Sequence, residues 1–355
     1  MVFLKNRVMK PKVNIGVTGL NAIDSPGPGI AVIRCLREAT AFDVRIIGLA
    51  YESLEPGIYM HDLIDHTYQI PYPTAGTELL LARLEYIQSI EKLDLIIPNF
   101  DAELYPFIKL EPKLKKLGIR LFTPTLKQFE EREKVNLNEF GEKYHLHVPK
   151  SRAIYELNAI NNLGSDFTFP VIVKGKFYDA IRAYNHDQVR GAFSKISAQW
   201  GLPIIIQEFI QGTEFNVTGL GDGKGNTISL VPMRKQYITD KGKAWGGISI
   251  SDEKMQEMTR KFIKQTKWRG GFELELMKDK KGKIYLLEIN PRMPAWIYLS
   301  AGVGQNIPEA LVRLAMGEKV EPFTDYKVGK MFIRYAWDMI VDRTEFEQIS
   351  INGEL

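Results

Sequence analysis

Two stretches in the second half of the chain alternate apolar and charged residues with period two: Gly271-Phe272-Glu273-Leu274-Glu275-Leu276 and Ile284-Tyr285-Leu286-Leu287-Glu288-Ile289-Asn290. Successive side chains of an extended strand point to opposite faces, so both runs predict strands with an apolar back and an acidic front. Between them, Lys278-Asp279-Lys280-Lys281-Gly282 predicts a turn, and the whole predicts a β-hairpin with a loop of four or five residues. Turn counting leaves the register open: either Glu273 or Glu275 lies across from Glu288. Shorter apolar runs predict strands over residues 13–19, 44–49, 95–103, 169–173, 204–214 and 330–337, with a helix over 30–38.

If the second strand of the hairpin continues through Pro291, Glu288, Asn290 and Arg292 project together while Leu287 and Ile289 pack behind them. A carboxylate, an amide oxygen and a guanidinium on one face suit a magnesium triphosphate. The oxygens can hold a hard cation, and the arginine can stabilise charge on a phosphoryl group in transfer. The competing reading is a solvated acidic face neutralised by neighbouring lysines.

The segment Glu288-Ile289-Asn290-Pro291-Arg292 after such a hairpin resembles the ATP-grasp superfamily, in the branch of biotin carboxylase and the carbamoyl-phosphate synthetase large subunit. The resemblance runs over roughly residues 120 to 317. It extends to Lys134 at the start of a helix leading to Val148-Pro149, to Lys174 after Val171-Ile172-Val173, and to a hinge strand from Ile204 to Glu214. It implies that Lys134 and Lys174 touch ATP phosphates, that adenine lies against the backbone of Glu208 and Ile210, and that Glu214 holds the ribose hydroxyls. It further implies that Glu275, Glu288 and Asn290 bind Mg2+ or Mn2+, with Arg292 at the transferred phosphoryl group. One departure is the stretch after Lys174, Gly175-Lys176-Phe177-Tyr178-Asp179, which is shorter and poorer in glycine than the phosphate lid of many relatives. Tyr178 and Asp179 there are read as capping the turn.

Two further groups carry candidate substrate chemistry. Asp101 and Glu103 follow the apolar run 95–100, where open α/β sheets place ligands, and suit a substrate amine; a helix N-terminus favouring acids is the alternative. Arg234 and Lys235 precede a basic, glycine-containing loop with Thr239, Lys241 and Lys243, and suit a carboxylate or acyl phosphate. Trp296 walls the same pocket or belongs to the core. The loop Ser25-Pro26-Gly27-Pro28-Gly29 follows a strand and opens a helix, as in dinucleotide-binding folds, but fits Gly-x-Gly-x-x-Gly poorly.

Composition narrows the class. The chain has 355 residues, 45% hydrophobic and 25% charged, which is enough for two or three cores. A net charge of +4 without a basic block argues against a nucleic-acid-binding reading, and no apolar run reaches the roughly twenty residues that span a bilayer. The first residues lack the apolar centre of a signal peptide. The one cysteine, Cys35, falls in an apolar helical segment and is expected to be a packed thiol, so a cytoplasmic setting fits.

The expected fold is mixed α/β and α+β: a Rossmann-like parallel-sheet domain over residues 1–122, then a two-lobed ATP-grasp domain. Its small lobe covers 123–208 and its large lobe 209–320, followed by a C-terminal strand and tail over 321–355, whose aromatic residues are compatible with a homodimer. The expected function is an ATP- and magnesium-dependent ligase joining a small carboxylate, such as an amino acid or peptide, to an amine through an acyl phosphate. The alternatives are one subunit of a split carbamoyl-phosphate synthetase-like assembly, since only one set of motifs is present, and a nucleotide sensor without catalysis.

Overall fold

A computed structural model describes residues 10–21, 26–164, 167–176, 179–238 and 244–355. Residues 1–9, Ser25, Tyr178, Thr239, Lys241 and Lys243 lie outside them, and so do the expectations placed on them.

The first unit is a parallel sheet of β1 (Lys12–Thr18), β2 (Asp43–Ala50), β3 (His66–Gln69) and β4 (Leu95–Ile97) in the order β3-β2-β1-β4. Its strands are apolar without alternation because helices cover both faces: α1 (Gly29–Arg37) on one side, α2 (Thr77–Glu91) and α3 (Asp101–Lys116) on the other. Cys35 is buried on α1, and burial pushes its thiol well above the ordinary range, as a packed cysteine requires. The strand expected over 95–103 ends at Ile97, and Asp101 and Glu103 instead open α3.

Helices α4 (Leu126–Glu131) and α5 (Leu137–Lys143) lead to a small antiparallel sheet of β5 (Ser151–Ile154), β6 (Val171–Lys174), β7 (Ala180–Ala183) and β8 (Ile204–Glu208) in the order β5-β8-β6-β7. Helix α6 (His186–Trp200) covers one face, its first turn capped by the Asn185 side chain. Asp179 accepts from Trp200 Nε1 at 2.7 Å and its carbonyl accepts from the Gly175 amide at 3.2 Å, so it closes the short turn after Lys174.

The third sheet consists of β9 (Gly212–Asp222), β10 (Thr227–Ile238), β11 (Ala244–Ser249), β12 (Arg269–Asp279), β13 (Ile284–Asn290) and β14 (Met331–Ile333), ordered β13-β12-β9-β10-β11-β14. Strand β14 is shorter than the run 330–337 that the sequence suggests. The register of the hairpin is settled: Glu275 faces Glu288 and Glu273 faces Asn290, with an irregularity before Leu276 that accommodates Leu287. Behind the sheet, Phe272, Leu274, Leu276, Leu286 and Ile289 pack against Phe262 and Met255 of α7 (Glu253–Thr266) and Phe140 of α5. A one-residue slip would carry those side chains into the acidic front and the glutamates into the core, which fixes the register. Helices α8 (Tyr298–Gly302) and α9 (Ile307–Ala315) pack on α1, joining the large sheet to the first unit. Finally, α10 (Arg343–Asn352) returns to β3, where Thr67 and Leu355 exchange backbone hydrogen bonds of 2.7 and 2.9 Å.

Candidate active site

The front of the large sheet is polar and partly withdrawn from solvent. Register across β13, β12 and β9 aligns Glu288, Glu275 and Asn216 in one row and Asn290, Glu273 and Thr218 in the next. Glu273, Asn290, Asn216 and Thr218 are all buried. Two glutamates directly opposite each other repel, so the Glu275–Glu288 pair needs cations.

Those cations arrive from three parts of the chain. Lys134, on the tight turn before α5, reaches Glu288 Oε1 at 3.1 Å, and Lys235 of β10 pairs with Glu214 of β9. Lys174, at the end of β6, is half-buried. Burial pulls its ammonium below the ordinary lysine range, while Glu288, Glu275 and Glu214 work in the opposite direction. Burial also opposes ionisation of Glu275, but Lys235, Lys174 and Lys134 outweigh it and hold the carboxyl below its usual range. Glu288 is pushed up by burial and by Glu275, against Lys134, and Glu273 by burial and by Glu275, against Arg292. For Lys235 burial is overcome by Glu275 and Glu214, so it stays protonated more firmly than an ordinary lysine.

Glu273 is held from below. Trp296 Nε1 donates to its Oε1 at 2.6 Å, Asn216 Nδ2 donates to the same oxygen at 2.8 Å, and Asn290 Nδ2 donates to Oε2 at 3.0 Å. Trp296 is thus a core residue that orients a site carboxylate. The second Asn290 amide hydrogen points to Glu275 Oε1 at 3.3 Å, which leaves the Asn290 carbonyl oxygen for a cation. Asn216 Oδ1 is buried beside the same glutamates without a donor. An all-oxygen set of two carboxylates and amide oxygens suits a hard divalent cation. Among the described residues, no group of three or more His, Cys, Asp or Glu side chains is arranged to hold a metal, so such a cation would rely on these amides.

Arg292 extends the site toward the first unit. Its Nε donates to Asp101 Oδ2 at 2.9 Å, and Arg132, just ahead of Lys134, lies 3.9 Å from Asp101 Oδ1. Burial works against Asp101 ionisation, but Arg292 and Arg132 prevail and keep its carboxyl low. Burial lowers the Arg132 guanidinium, and its Nε is buried without an acceptor.

Sequence reasoning misplaced two candidates. Glu103 is fully buried inside the first unit, where it accepts from the hydroxyls of Thr18 and Tyr51 and from the amides of Asn99 and Phe100, so it caps α3 and is out of reach of a substrate. Arg234 pairs with Phe215 and Ile248, which turns it to the exposed back of the sheet, opposite Lys235. Glu208 and Ile210 sit at the end of β8: Glu208 is exposed, its amide donates to the Lys150 carbonyl at 2.8 Å, and Ile210 is buried.

Three residues were missed: Arg132, Asn216 and Arg334. Asn216 was legible, since Glu214, Asn216 and Thr218 keep period two along β9. Arg334 was not. It follows β14, donates its amide to the Trp245 carbonyl at 3.0 Å, and by alternation shares the front face with Phe332, Gly247 and Lys235. Burial pulls its guanidinium down, while Glu273 opposes the shift.

A small void of about 20 Å³ beside Arg292 and a cleft of about 340 Å³ beneath α7, lined by Arg260, Lys264 and Tyr326, both lie away from the glutamates.

Residues 202–332 match the family model described as ATP-grasp in the biosynthetic pathway with Ter operon, a span that includes Glu214, Lys235, Glu275, Glu288, Asn290 and Arg292. The chain is also 25% identical over 261 residues to the carbamoyl phosphate synthase large chain of Clostridium perfringens (strain 13 / Type A), covering 65% of this chain and 23% of that one. Over residues 202–332 the chain is similar to ATP-grasp proteins. It spans less than a quarter of the length of that large chain. Solved structures with a similar fold include the biotin carboxylase domain of Hydrogenobacter thermophilus 2-oxoglutarate carboxylase, solved as a dimer with MgADP, ADP and bicarbonate. Its TM-score is 0.70 at 17% identity, with 90% of this chain and 73% of that chain covered. Another is the L-amino acid ligase from Bacillus licheniformis, with a TM-score of 0.63 at 16% identity, covering 87% and 75%. No helix of the described residues is long and apolar enough to cross a membrane.

Proposed function

We propose that this chain is an ATP-dependent ligase that activates a small carboxylic acid as an acyl phosphate and couples it to an amine. The observation that carries this reading is the convergence of Lys134, Lys174, Lys235 and Arg292 on the half-buried Glu275–Glu288 pair. Holding so many charges partly out of water is costly, so a purely structural role accounts poorly for the cluster.

In this reading Lys134 and Lys174 hold the triphosphate, the Glu208 carbonyl and the Ile210 amide meet the adenine edge, and Glu214 takes the ribose. Glu275, Glu288 and the Asn290 carbonyl would hold Mg2+ or Mn2+, which would neutralise phosphate charge. An acid oxygen attacks the γ-phosphorus as the bond to ADP breaks. Arg292, oriented by Asp101, and Lys235 stabilise the equatorial oxygens, which is most of what phosphoryl transfer requires. The amine then attacks the acyl carbon, phosphate departs and the nitrogen loses a proton. Arg334, at the far end of the same face, is the candidate for the acid's own charge or for a second carboxylate on it. MgADP in the 2-oxoglutarate carboxylase domain and the activity named for the Bacillus licheniformis protein support the nucleotide and the reaction class.

In a second reading the chain acts as one subunit of a split carbamoyl-phosphate synthetase-like assembly, consistent with its matching under a quarter of a carbamoyl phosphate synthase large chain. Phosphate release from ATP and magnesium, screened against pooled amino acids and dipeptides, separates the two. Turnover with particular pools, reduced roughly 10²–10³-fold in Glu288→Gln, is the expected result. Nucleotide binding without turnover in any pool would move the assignment to a partner-dependent assembly or a sensor, and no nucleotide binding would end both.

A further inference from the structure

We infer that the chain associates with a second copy of itself through antiparallel pairing of β14, the last strand of the large sheet. Among the described residues, strand β14 is bonded on one side only, to β11. The Lys330 carbonyl accepts from Ser249 N and the Arg334 amide donates to the Trp245 carbonyl, so the even-numbered residues face β11. Alternation therefore turns the N–H and C=O groups of Met331, Ile333 and Tyr335 away from the sheet, along an open edge.

The side chains of that edge are large, apolar and uncovered. Ile333 is 69% exposed, Tyr335 72%, Trp337 85% and Ile340 94%. On the same outer face, opposite the glutamates, Tyr237 of β10 lies across from Gly246 and so beside Ile333. Natural edge strands are often blunted by lysines or prolines, and residues 331–340 hold neither. The exposed apolar side chains together present on the order of 1,000 Å², whereas a standard interface buries about 800 Å² per partner and the largest apolar patch of a monomer is usually smaller.

An edge of this kind selects its own copy. An antiparallel pair of identical strands has a two-fold axis, so a single contact satisfies both edges and closes the assembly. With the axis at Ile333, the middle of the three outward residues, Ile333 meets its own counterpart in a pair that exchanges both hydrogen bonds, and Met331 meets Tyr335 of the second copy. The two large sheets then form one continuous sheet, with Arg334 of each copy still facing its own glutamates.

Cysteine cross-linking reads that register directly. Residues in such a pair have Cα atoms about 5.5 Å apart, inside the disulfide range, and the one native cysteine, Cys35, is buried. Mild oxidation of Ile333→Cys is expected to give a disulfide-linked dimer, while Phe332→Cys, which faces inward, gives none. Sedimentation of the unmodified chain is expected to show twice the 40.5 kDa chain mass, with Ile333→Lys and Trp337→Glu weakening association at least tenfold while thermal midpoints hold. A monomer at all concentrations would overturn the inference. So would a dimer that both charge variants leave intact and that Ile333→Cys does not cross-link.

Discussion

At the scale of single residues, the site is defined by carboxylates that disagree about their protons. Glu275 is held ionised by three lysines, whereas its neighbour Glu288 is pushed up by burial and by Glu275 itself. A carboxyl whose folded pKa lies above its unfolded value, near 4.3, adds stability that is complete below the unfolded value and is lost as pH rises through the folded one. Raising the pH through that window should therefore remove the stability that Glu288 itself contributes to the free protein. Glu288→Gln should flatten the fall, as read from urea midpoints at several pH values. A cation at Glu288 requires the ionised form, so magnesium-nucleotide affinity should weaken as pH drops through the same window. Calorimetry in buffers of different ionisation enthalpy would then register proton release on binding, and an affinity independent of pH would remove Glu288 from the ligand set.

At the scale of elements, the hinge between the small and large sheets is tightly constrained. Gly212 opens β9 directly after β8, and a Cβ there would lie 2.2 Å from the Lys278 carbonyl oxygen, which is fixed in β12. Gly212→Ala should thus spread β9 from β12 at the hairpin end and lower stability by about 1–3 kcal/mol, measured as a reduced urea midpoint. An unchanged midpoint would mean that the hinge yields freely. The hairpin itself was legible because its alternation is strict and its turn is rich in lysine and glycine. Its register was not, since the irregularity at Leu287 shifts pairing by one without any mark in the sequence. Asp101 and Glu103 show the same limit: two acids after an apolar strand look alike, yet helical periodicity turns one to the cleft and the other into the core. Arg234 and Lys235 differ by one position, and the pleat places them on opposite faces. Arg334 could not be found locally, because it reaches the site only through a strand added at the far edge of the sheet.

At the scale of the molecule, three separately folded sheets meet at one patch of charge. Lys134 comes from the connection between the first unit and the small sheet, Lys174 from the small sheet, Glu275 and Glu288 from the large one, and Asp101 from the first unit. The ion pair of Lys134 with Glu288 has a consequence for the sequence of events on the proposed reaction path. While no nucleotide is bound, the lysines act as resident counterions, and a bare divalent cation must evict them with nothing to offer in return. A triphosphate carrying its own cation presents each lysine with a new anion at the moment it frees a glutamate, so the exchange is nearly balanced in charge. The metal should therefore enter only as the nucleotide's passenger: millimolar magnesium alone leaves the thermal midpoint where it was, and the same concentration raises it once nucleotide is present.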